Sequence, residues 1–101
     1  MTLLIIRMNV LSEKRVELSQ TISSLSVSTR MEKGCKRCDF CQSVEEENRF
    51  FLLEEWDTQE NLNAHLKSDH FKVIRGAINL LQEPYEETFH KVFRSAGMEK
   101  I

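Results

Sequence analysis

The sequence contains little glycine and proline. Of its 101 residues, three are glycine and one is proline, and neither type is concentrated in any stretch. Flexible linkers, collagen-like repeats and low-complexity segments are rich in these residues, so the composition argues against all three. A chain of this length corresponds to one domain. We expect residues 1–94 to form that domain and residues 95–101 to be a short tail.

An excess of positive charge and a long apolar run are also missing. The 14 Lys and Arg residues are balanced by 16 Asp and Glu residues, which leaves a net charge of −2. Nucleic-acid binding therefore has no electrostatic support. The apolar run Leu3–Ile6 is too short for a signal peptide or a membrane span. We expect no nucleic-acid or membrane partner, and a cytoplasmic location.

Cysteine is scarce but clustered, since all three cysteines lie at Cys35, Cys38 and Cys41. An odd number cannot pair completely within one chain, which favours a reducing compartment. The spacing resembles the opening of an iron–sulfur motif that lacks its fourth cysteine. In a regular strand, Cys35 and Cys41 would share one face and Cys38 would point to the other. We therefore predict no metal site, unless a bulge or loop interrupts the strand. A thiol or metal sensor remains an alternative function.

Hydrophobic spacing predicts four strands and two helical regions. The first helix begins near Ser12, and its serine-rich segment 23–28 favours fraying before Gly34, which offers a positive-φ stop. The second begins at Asp57, where Glu60 completes a pattern like a capping box, and residues 68–69 suggest a break within it. The predicted strands are 2–10, 35–44, 49–56 and 85–93.

This order, β-α-β-β-α-β, is typical of the ferredoxin-like α+β fold. It predicts one four-stranded antiparallel sheet with both helical regions on one face. The other face remains substantially apolar, and such a face must be covered. We therefore predict a homodimer in which two sheets pack face to face.

The segment from residue 54 to residue 71 carries most of the polar and aromatic side chains that could perform chemistry together. A strand ending in Glu-x-Trp is followed by a helix with Ala-His-Leu and by a Ser-x-His-Phe turn. This segment resembles the signature of the antibiotic biosynthesis monooxygenase family, and the resemblance extends over about residues 2–93. The matching residues are Glu54, Trp56, Ala64, His65, Leu66, Ser68, His70 and Phe71.

The resemblance implies a ferredoxin-like domain that pairs into a dimeric α+β barrel. It implies less about activity, because the family is functionally mixed. Some members oxidise quinol-like or polycyclic phenols with O₂ and no cofactor. Others degrade haem, and some act on signal molecules.

The haem-degrading branch can be tested against individual residues. Its members use an asparagine at the end of the first strand, a tryptophan in the second helix and a histidine iron ligand ten residues later. Asn9 matches the first position, but the tryptophan position holds His65 and the ligand position holds Arg75. An arginine stays protonated and cannot ligate iron, so this mode of haem degradation is disfavoured.

Glu54 and His65 are the leading candidates for acid–base chemistry. If Leu52 and Trp56 face the helices, strand alternation places Glu54 in or beside the core, where a carboxylate needs a partner or a raised pKa. Glu54 could then remove a phenolic proton, and His65 could carry it. The alternative is that both residues form structural hydrogen bonds. His65 and His70 are five residues apart, which does not make a zinc pair.

Other residues are candidates for the substrate site, which we expect between the sheet and the helices. Asn9 could hydrogen-bond an oxyanion, although it could also be a turn residue. Trp56, His70 and Phe71 could line an aromatic pocket, although aromatic residues at this spacing are commonly core. We predict a cofactor-independent monooxygenase that acts on a small aromatic or quinol-like substrate. The alternative of another class is a non-catalytic dimer that binds a small ligand.

Overall fold

The computed structural model describes residues 1–81 and 88–93, the latter as a strand. The predicted order of elements is confirmed, with the second helical region divided in two. The elements are β1 (Thr2–Asn9), a single 3-10 turn (Ser12–Lys14), α1 (Arg15–Arg30), β2 (Cys35–Gln42), β3 (Arg49–Trp56), α2 (Gln59–Leu66), α3 (Asp69–Leu81) and β4 (Thr88–Phe93). The predicted tail and the predicted start of the last strand, at residues 85–87, lie outside the described residues.

The four strands form one antiparallel sheet in the order β2-β3-β1-β4. β1 and β3 are central and pair from Thr2 opposite Trp56 to Asn9 opposite Arg49. β2 and β3 form the predicted hairpin, whose connection is closed by a hydrogen bond from Ser43 N to Arg49 O of 2.9 Å. This is the ferredoxin-like arrangement that the order of elements predicted.

The first helix does not fray at its serine-rich segment, so that prediction is wrong. α1 continues to Arg30, because two of its hydroxyl groups are satisfied within the helix. Ser26 Oγ donates to Ile22 O at 2.8 Å, and Thr29 Oγ1 donates to Leu25 O at 3.5 Å. Both side chains are buried, and tertiary packing therefore outweighs their low helix propensity.

The second helical region is capped by Thr58 rather than by Asp57. Thr58 accepts a hydrogen bond from Asn61 N at 3.1 Å, whereas Asp57 accepts one from the Asn61 side chain at 2.9 Å. The predicted break is present: Ser68 Oγ donates to His65 O and accepts from Phe71 N, which ends α2 and starts α3. Each of these two helices has one face buried in the core.

Gly34 has the predicted positive φ, 87°, in the turn that leads from α1 into β2. A Cβ at this position would clash with the side chains of Asp57 and Asn61, so the close approach also requires glycine. Gly34 O accepts a hydrogen bond from Asp57 N at 2.9 Å. The turn after α1 is thereby joined to the turn after β3, and the candidate site lies beside this junction.

The core lies between the helices and one face of the sheet. Within the described ranges it includes aliphatic and aromatic side chains from β1, β3 and all three helices, together with Cys38 of β2. Its members include Leu4, Ile6, Met8, Leu18, Ile22, Leu52, Trp56, Leu62, Phe71, Ile74 and Ile78. None of the helices in residues 1–81 is both long enough and apolar enough to cross a membrane.

Candidate active site

Glu54 is a carboxylate in the middle of this core. β3 alternates regularly, and Leu52, Glu54 and Trp56 all face the helices with no exposed surface. Glu54 lies opposite Leu4 on one neighbouring strand and opposite Cys38 on the other. The expectation that Glu54 shares the core face with Leu52 and Trp56 is therefore correct. A buried carboxylate surrounded by apolar residues requires polar partners.

His65 is the main polar partner of Glu54. It lies on the buried face of α2, and its ring is held between two aromatic side chains. The ring centroids of His65 and Trp56 are 4.6 Å apart, and those of His65 and Phe71 are 5.0 Å apart in an edge-on arrangement. Both aromatic residues are themselves buried. This packing restricts the rotation of the imidazole and fixes where its two nitrogens point.

Glu32 is a second carboxylate on the same imidazole, and the sequence did not indicate it. Its two oxygens lie 3.0 and 3.1 Å from His65 Nδ1, which donates a hydrogen bond to the carboxylate. Glu32 follows α1 in a turn, and 27% of its side chain is exposed. His65 thus joins a buried carboxylate to one that reaches solvent. The two residues are 33 positions apart, so no local motif relates them.

The contact between His65 and Glu54 is close but incompletely hydrogen-bonded. His65 Nε2 is 3.1 Å from Glu54 Oε1, yet the N–H direction does not meet that oxygen at a hydrogen-bonding angle. Trp56 Nε1 donates to the same oxygen at 2.9 Å. Glu54 Oε2 has no hydrogen-bond partner. Two buried polar atoms, one on each residue, are therefore unsatisfied, which is uncommon in a folded core.

The two carboxylates determine how His65 titrates. Burial by itself lowers the pKa of the imidazole, because it disfavours the charged form. The close contact with Glu54 and the hydrogen bond to Glu32, each with the negative charge of the carboxylate, act in the opposite direction and raise the pKa of His65 above its ordinary value. The protonated imidazole is thus stabilised between two acceptors, an arrangement suited to accepting and releasing a proton.

The other candidate residues are distributed over the fold. Trp56 and Phe71 pack against the ring of His65 in the core. His70 instead contacts α1, where its Nε2 lies 3.0 Å from both Thr29 Oγ1 and Leu25 O. Asn9 lies opposite Arg49 at the far end of β1, and strand alternation puts it on the other face of the sheet from Glu54. The structure does not bring Asn9 or His70 to the cluster.

The cysteines are not arranged as a regular strand predicts. A bulge at Lys36 shifts the register of β2, so that Cys35 lies opposite Trp56 and Cys38 lies opposite Glu54. Both partners face the helices, and Cys35 and Cys38 therefore share that face. Cys41 lies opposite Phe51, on the other face. The prediction that Cys35 and Cys41 share a face is wrong, because a bulge reverses the alternation on one side of it.

All three cysteines are free thiols. Burial, followed by the charge of Glu54, raises the pKa of Cys38 to about 12 and also raises that of Cys35. Both thiols are consequently protonated at neutral pH and are weak nucleophiles. Within residues 1–81 no group of three or more His, Cys, Asp or Glu side chains is placed to hold a metal ion.

Comparison with known proteins relates this geometry to a family. The sequence profile of the antibiotic biosynthesis monooxygenase family matches residues 1–77. The chain belongs to this family. The match includes β1, the β2–β3 hairpin, and the Glu54, His65 and Glu32 cluster, which places the candidate site inside the family domain. No protein with a curated functional description matches the chain.

Solved structures with the same fold extend the match over nearly the whole chain. A conserved protein from Methanosarcina mazei Go1 is 26% identical with a TM-score of 0.86, covering 93% of this chain and 92% of that one. A protein described as an antibiotic biosynthesis monooxygenase is 22% identical with a TM-score of 0.83, covering 94% and 99%. A Bacteroides thetaiotaomicron protein of unknown function, described as a possible oxidoreductase, is 26% identical with a TM-score of 0.81, covering 90% and 94%. These similarities show that the chain shares the fold of these proteins.

Proposed function

We propose that this family member is a cofactor-independent monooxygenase that oxidises a small aromatic or quinol-like substrate with O₂. The observation that carries the proposal is the buried Glu54–His65–Glu32 cluster, in which Glu54 Oε2 and His65 Nε2 lack hydrogen-bond partners. Unsatisfied buried polar atoms lower stability and are therefore expected where a substrate completes the hydrogen bonding. The names of the similar proteins support the same reaction class.

Glu54 and His65 would act as the base. A phenol whose hydroxyl reaches Glu54 Oε2 loses its proton to the cluster, and the resulting phenolate donates electrons to O₂ more readily than the phenol does. In the complete reaction a ring C–H becomes a carbonyl and the phenol becomes a quinone. One oxygen atom of O₂ forms the new carbonyl, and the other leaves as water with two hydrogens from the substrate. The substrate supplies all four electrons, so no cofactor is needed.

Glu32 would connect this base to solvent. A proton taken up by Glu54 passes to His65 Nε2, and His65 can release its Nδ1 proton to Glu32. The Glu32 side chain is partly exposed, whereas Glu54 and His65 are not. Trp56 and Phe71 hold the imidazole in the orientation that this transfer needs. Asn9 and His70 have no part in the proposal, since they lie away from the cluster.

Oxygen consumption tests the proposal. The purified protein would be supplied with a panel of quinols and polycyclic phenols, and O₂ uptake would be compared with product formation. We expect Glu54→Gln and His65→Ala to reduce turnover by at least about 100-fold, the usual contribution of a general base. Glu55→Gln is the matched control, because it removes the neighbouring carboxylate on the other face of the sheet.

The outcomes separate catalysis from binding. Equal O₂ uptake by the protein, Glu54→Gln and His65→Ala would contradict the assignment of these residues. Substrate binding without any O₂ uptake would instead support a non-catalytic, ligand-binding protein. Loss of activity in Glu55→Gln as well would indicate that the sheet as a whole, rather than the cluster, is disturbed.

The proposal also includes a homodimer. The face of the sheet away from the helices presents half-buried apolar side chains, including Ile5, Leu53 and Phe51, together with the exposed Arg7 opposite Phe51. In the described part of the chain no helix covers this face, and an apolar sheet face favours a partner. Pairing of two sheets through it agrees with the dimeric barrel that the family resemblance implies.

Sedimentation of a surface variant tests the dimer. We expect Leu53→Lys to shift the protein from dimer to monomer, because it places a charge in the centre of the pairing face. Val44→Lys is the control, since Val44 is fully exposed in the turn between β2 and β3. A dimer that persists in Leu53→Lys, or a monomer in the unmodified protein, would contradict pairing through this face.

A further inference from the structure

The sequence contains two overlapping Cys-x-x-Cys pairs, and only the structure distinguishes them. Cys35 and Cys38 form one pair, and Cys38 and Cys41 form the other. In a regular strand the members of each pair would point to opposite faces of the sheet. The bulge at Lys36 lies inside the first pair and outside the second. It therefore brings Cys35 and Cys38 to one face and leaves Cys41 on the other.

The bulge also shortens the distance between the first two cysteines. Their partners on β3 are Trp56 and Glu54, which are two residues apart. Two residues of strand span about 6.6 Å, whereas three residues of a regular strand span about 10 Å. The Cα atoms of Cys35 and Cys38 are accordingly separated by about two strand residues, with both side chains on the helix-covered face. Their side chains therefore occupy neighbouring positions on that face.

The two thiols line one cleft, and that cleft carries positive charge. The cleft has a volume of about 290 Å³ and is lined by Arg30, Cys35, Lys36, Arg37, Cys38 and Asp39. Arg37 forms ion pairs with Asp39 and Glu55. Arg30 donates from Nε to Cys38 O at 2.9 Å, which fixes its guanidinium beside the thiol pair. Because the charge of Arg37 is balanced by its carboxylate partners, the positive charge of the cleft comes from Arg30 and Lys36.

The geometry points to a two-thiolate site for a single monovalent soft metal ion, Cu(I), held by Cys35 and Cys38. Binding forms two Cu–S bonds and releases two thiol protons to solvent, with no change in the oxidation state of the metal. If the Cu–S bonds are similar in length to zinc–sulfur bonds, about 2.3 Å, linear coordination places the two sulfur atoms about 4.6 Å apart, within reach of side chains at neighbouring positions on one face. The product carries one net negative charge, which the positive charge of Arg30 favours and the carboxylate of Glu54, opposite Cys38, disfavours.

The ligands and the geometry of the site favour Cu(I) over other occupants. Structural zinc takes four ligands, and the described residues offer no group of three or more. Thiolate ligands select Cu(I), which accepts linear coordination by two of them. A disulfide is the other use of paired thiols, but a Cα separation of about 6.6 Å is near the upper limit for one. The raised pKa of both thiols also slows the exchange reactions by which disulfides form, because exchange needs a thiolate.

Competition for Cu(I) tests the site. Under anaerobic conditions with excess ascorbate, the protein would be titrated into the coloured Cu(I)–bicinchoninate complex, and the loss of absorbance would be measured. We expect one Cu(I) per chain. Cys35→Ser should lower the affinity by more than the roughly 10–100-fold that loss of an outer-shell partner costs, because it removes a ligand itself. Affinity should rise with pH, since binding displaces two protons.

Cys41→Ser is the matched control, because it removes the second Cys-x-x-Cys pair and keeps the first. It should bind Cu(I) as the unmodified protein does. Cys35 is only half-buried, so its substitution should preserve the fold, and circular dichroism would verify this. Cys38→Ser is a less direct test than Cys35→Ser, because Cys38 is buried and its substitution can disturb the fold. Lys36→Gln should weaken binding severalfold through loss of charge.

Four outcomes would overturn the proposal. The first is that the protein removes no Cu(I) from bicinchoninate. The second is unchanged affinity in folded Cys35→Ser. The third is a loss of affinity in Cys41→Ser, which would assign the site to the other pair. The fourth is one Cu(I) per two chains, which would mean that the metal joins two copies instead of occupying one cleft.

Discussion

Glu54 and Glu55 are adjacent carboxylates with opposite environments. Glu54 faces the helices, has no exposed surface and contacts His65 and Trp56. Glu55 faces away from them, with 26% of its side chain exposed, and pairs with Arg37 at 3.7 Å. The same residue type is thus a buried functional candidate at one position and a surface ion-pair member at the next.

The difference in burial between Glu54 and Glu55 shows that the face of the sheet determines how strongly a carboxylate interacts with its neighbours. A charge in the core interacts strongly with the few groups around it, because little water screens the interaction. Near solvent the same charge is screened, and an ion pair contributes about 0–1 kcal/mol. We therefore expect substitutions on the two faces to differ several-fold in their effect on stability.

The largest expected effect follows from His65→Leu. This variant leaves the buried charge of Glu54 with only Trp56 as a partner. Removing one member of a buried ion pair typically lowers the free energy of unfolding by about 3–5 kcal/mol. Urea denaturation would measure it. His70→Leu is a suitable control, because it removes a contact to α1 worth about 1 kcal/mol. Equal stability of His65→Leu and the unmodified protein would show that Glu54 does not depend on the imidazole.

A smaller loss is expected for Glu54→Gln. The glutamine keeps an oxygen that can accept from Trp56 Nε1 but loses the charge that faces His65. Hydrogen bonds to charged groups contribute about 1.5–3 kcal/mol, and we expect a decrease in this range. Thermal and urea unfolding would report it. An increase in stability would indicate that the desolvation of this carboxylate destabilises the fold more than its contacts with His65 and Trp56 stabilise it.

The pH dependence of stability tests the role of Glu32. Because the folded state raises the pKa of His65, its protonation contributes stability that is fully present below about pH 6.5, the usual pKa in the unfolded chain. That stability is lost as the pH rises through the folded pKa. Glu32→Gln should lower the folded pKa and move this loss to lower pH. Imidazole NMR titration and unfolding at several pH values would measure both, and an unchanged pKa would remove Glu32 from the cluster.

The smallest effect is expected for Glu55→Gln. This change removes a partly exposed ion pair with Arg37 of the edge strand β2, at the margin of the proposed pairing face, and leaves the core unaltered. The free energy of unfolding should fall by no more than about 1 kcal/mol, and less in high salt. Unfolding in low and high salt would establish this. A decrease as large as that of Glu54→Gln would mean that the two faces are not as different as their burial indicates.

Much of the fold could be predicted because it follows from local patterns. The alternation in β3 correctly put Glu54 and Trp56 on one face, although only the structure shows that this face is the core. The break at Ser68 was visible as a helix-capping residue. The predictions that failed depended on competition between local and tertiary effects. The serine-rich part of α1 remains helical because Ser26 and Thr29 are buried and bond to the helix backbone. Thr58 caps α2 while Asp57 contacts Asn61.

The candidate site was only partly predictable. Glu54, His65, Trp56 and Phe71 belong to a recognisable segment, and the structure brings these four together. Glu32 carried no signal, since it lies in a turn and meets His65 only through the junction of the two turns at Gly34. Asn9 was selected by position in the strand, but alternation puts it on the other face.

The sequence by itself determined the order of elements, the family and the presence of a candidate carboxylate and histidine in one segment, because periodicity and motif are local properties of the chain. Tertiary structure alone decided that Glu32 completes the cluster and that Cys35, rather than Cys41, shares a face with Cys38. Both outcomes depend on where distant segments meet: one on a turn packed against α2, the other on a single bulged residue that shifts a strand register. Such placements are set by the packing of the whole domain, and no short stretch of sequence contains them.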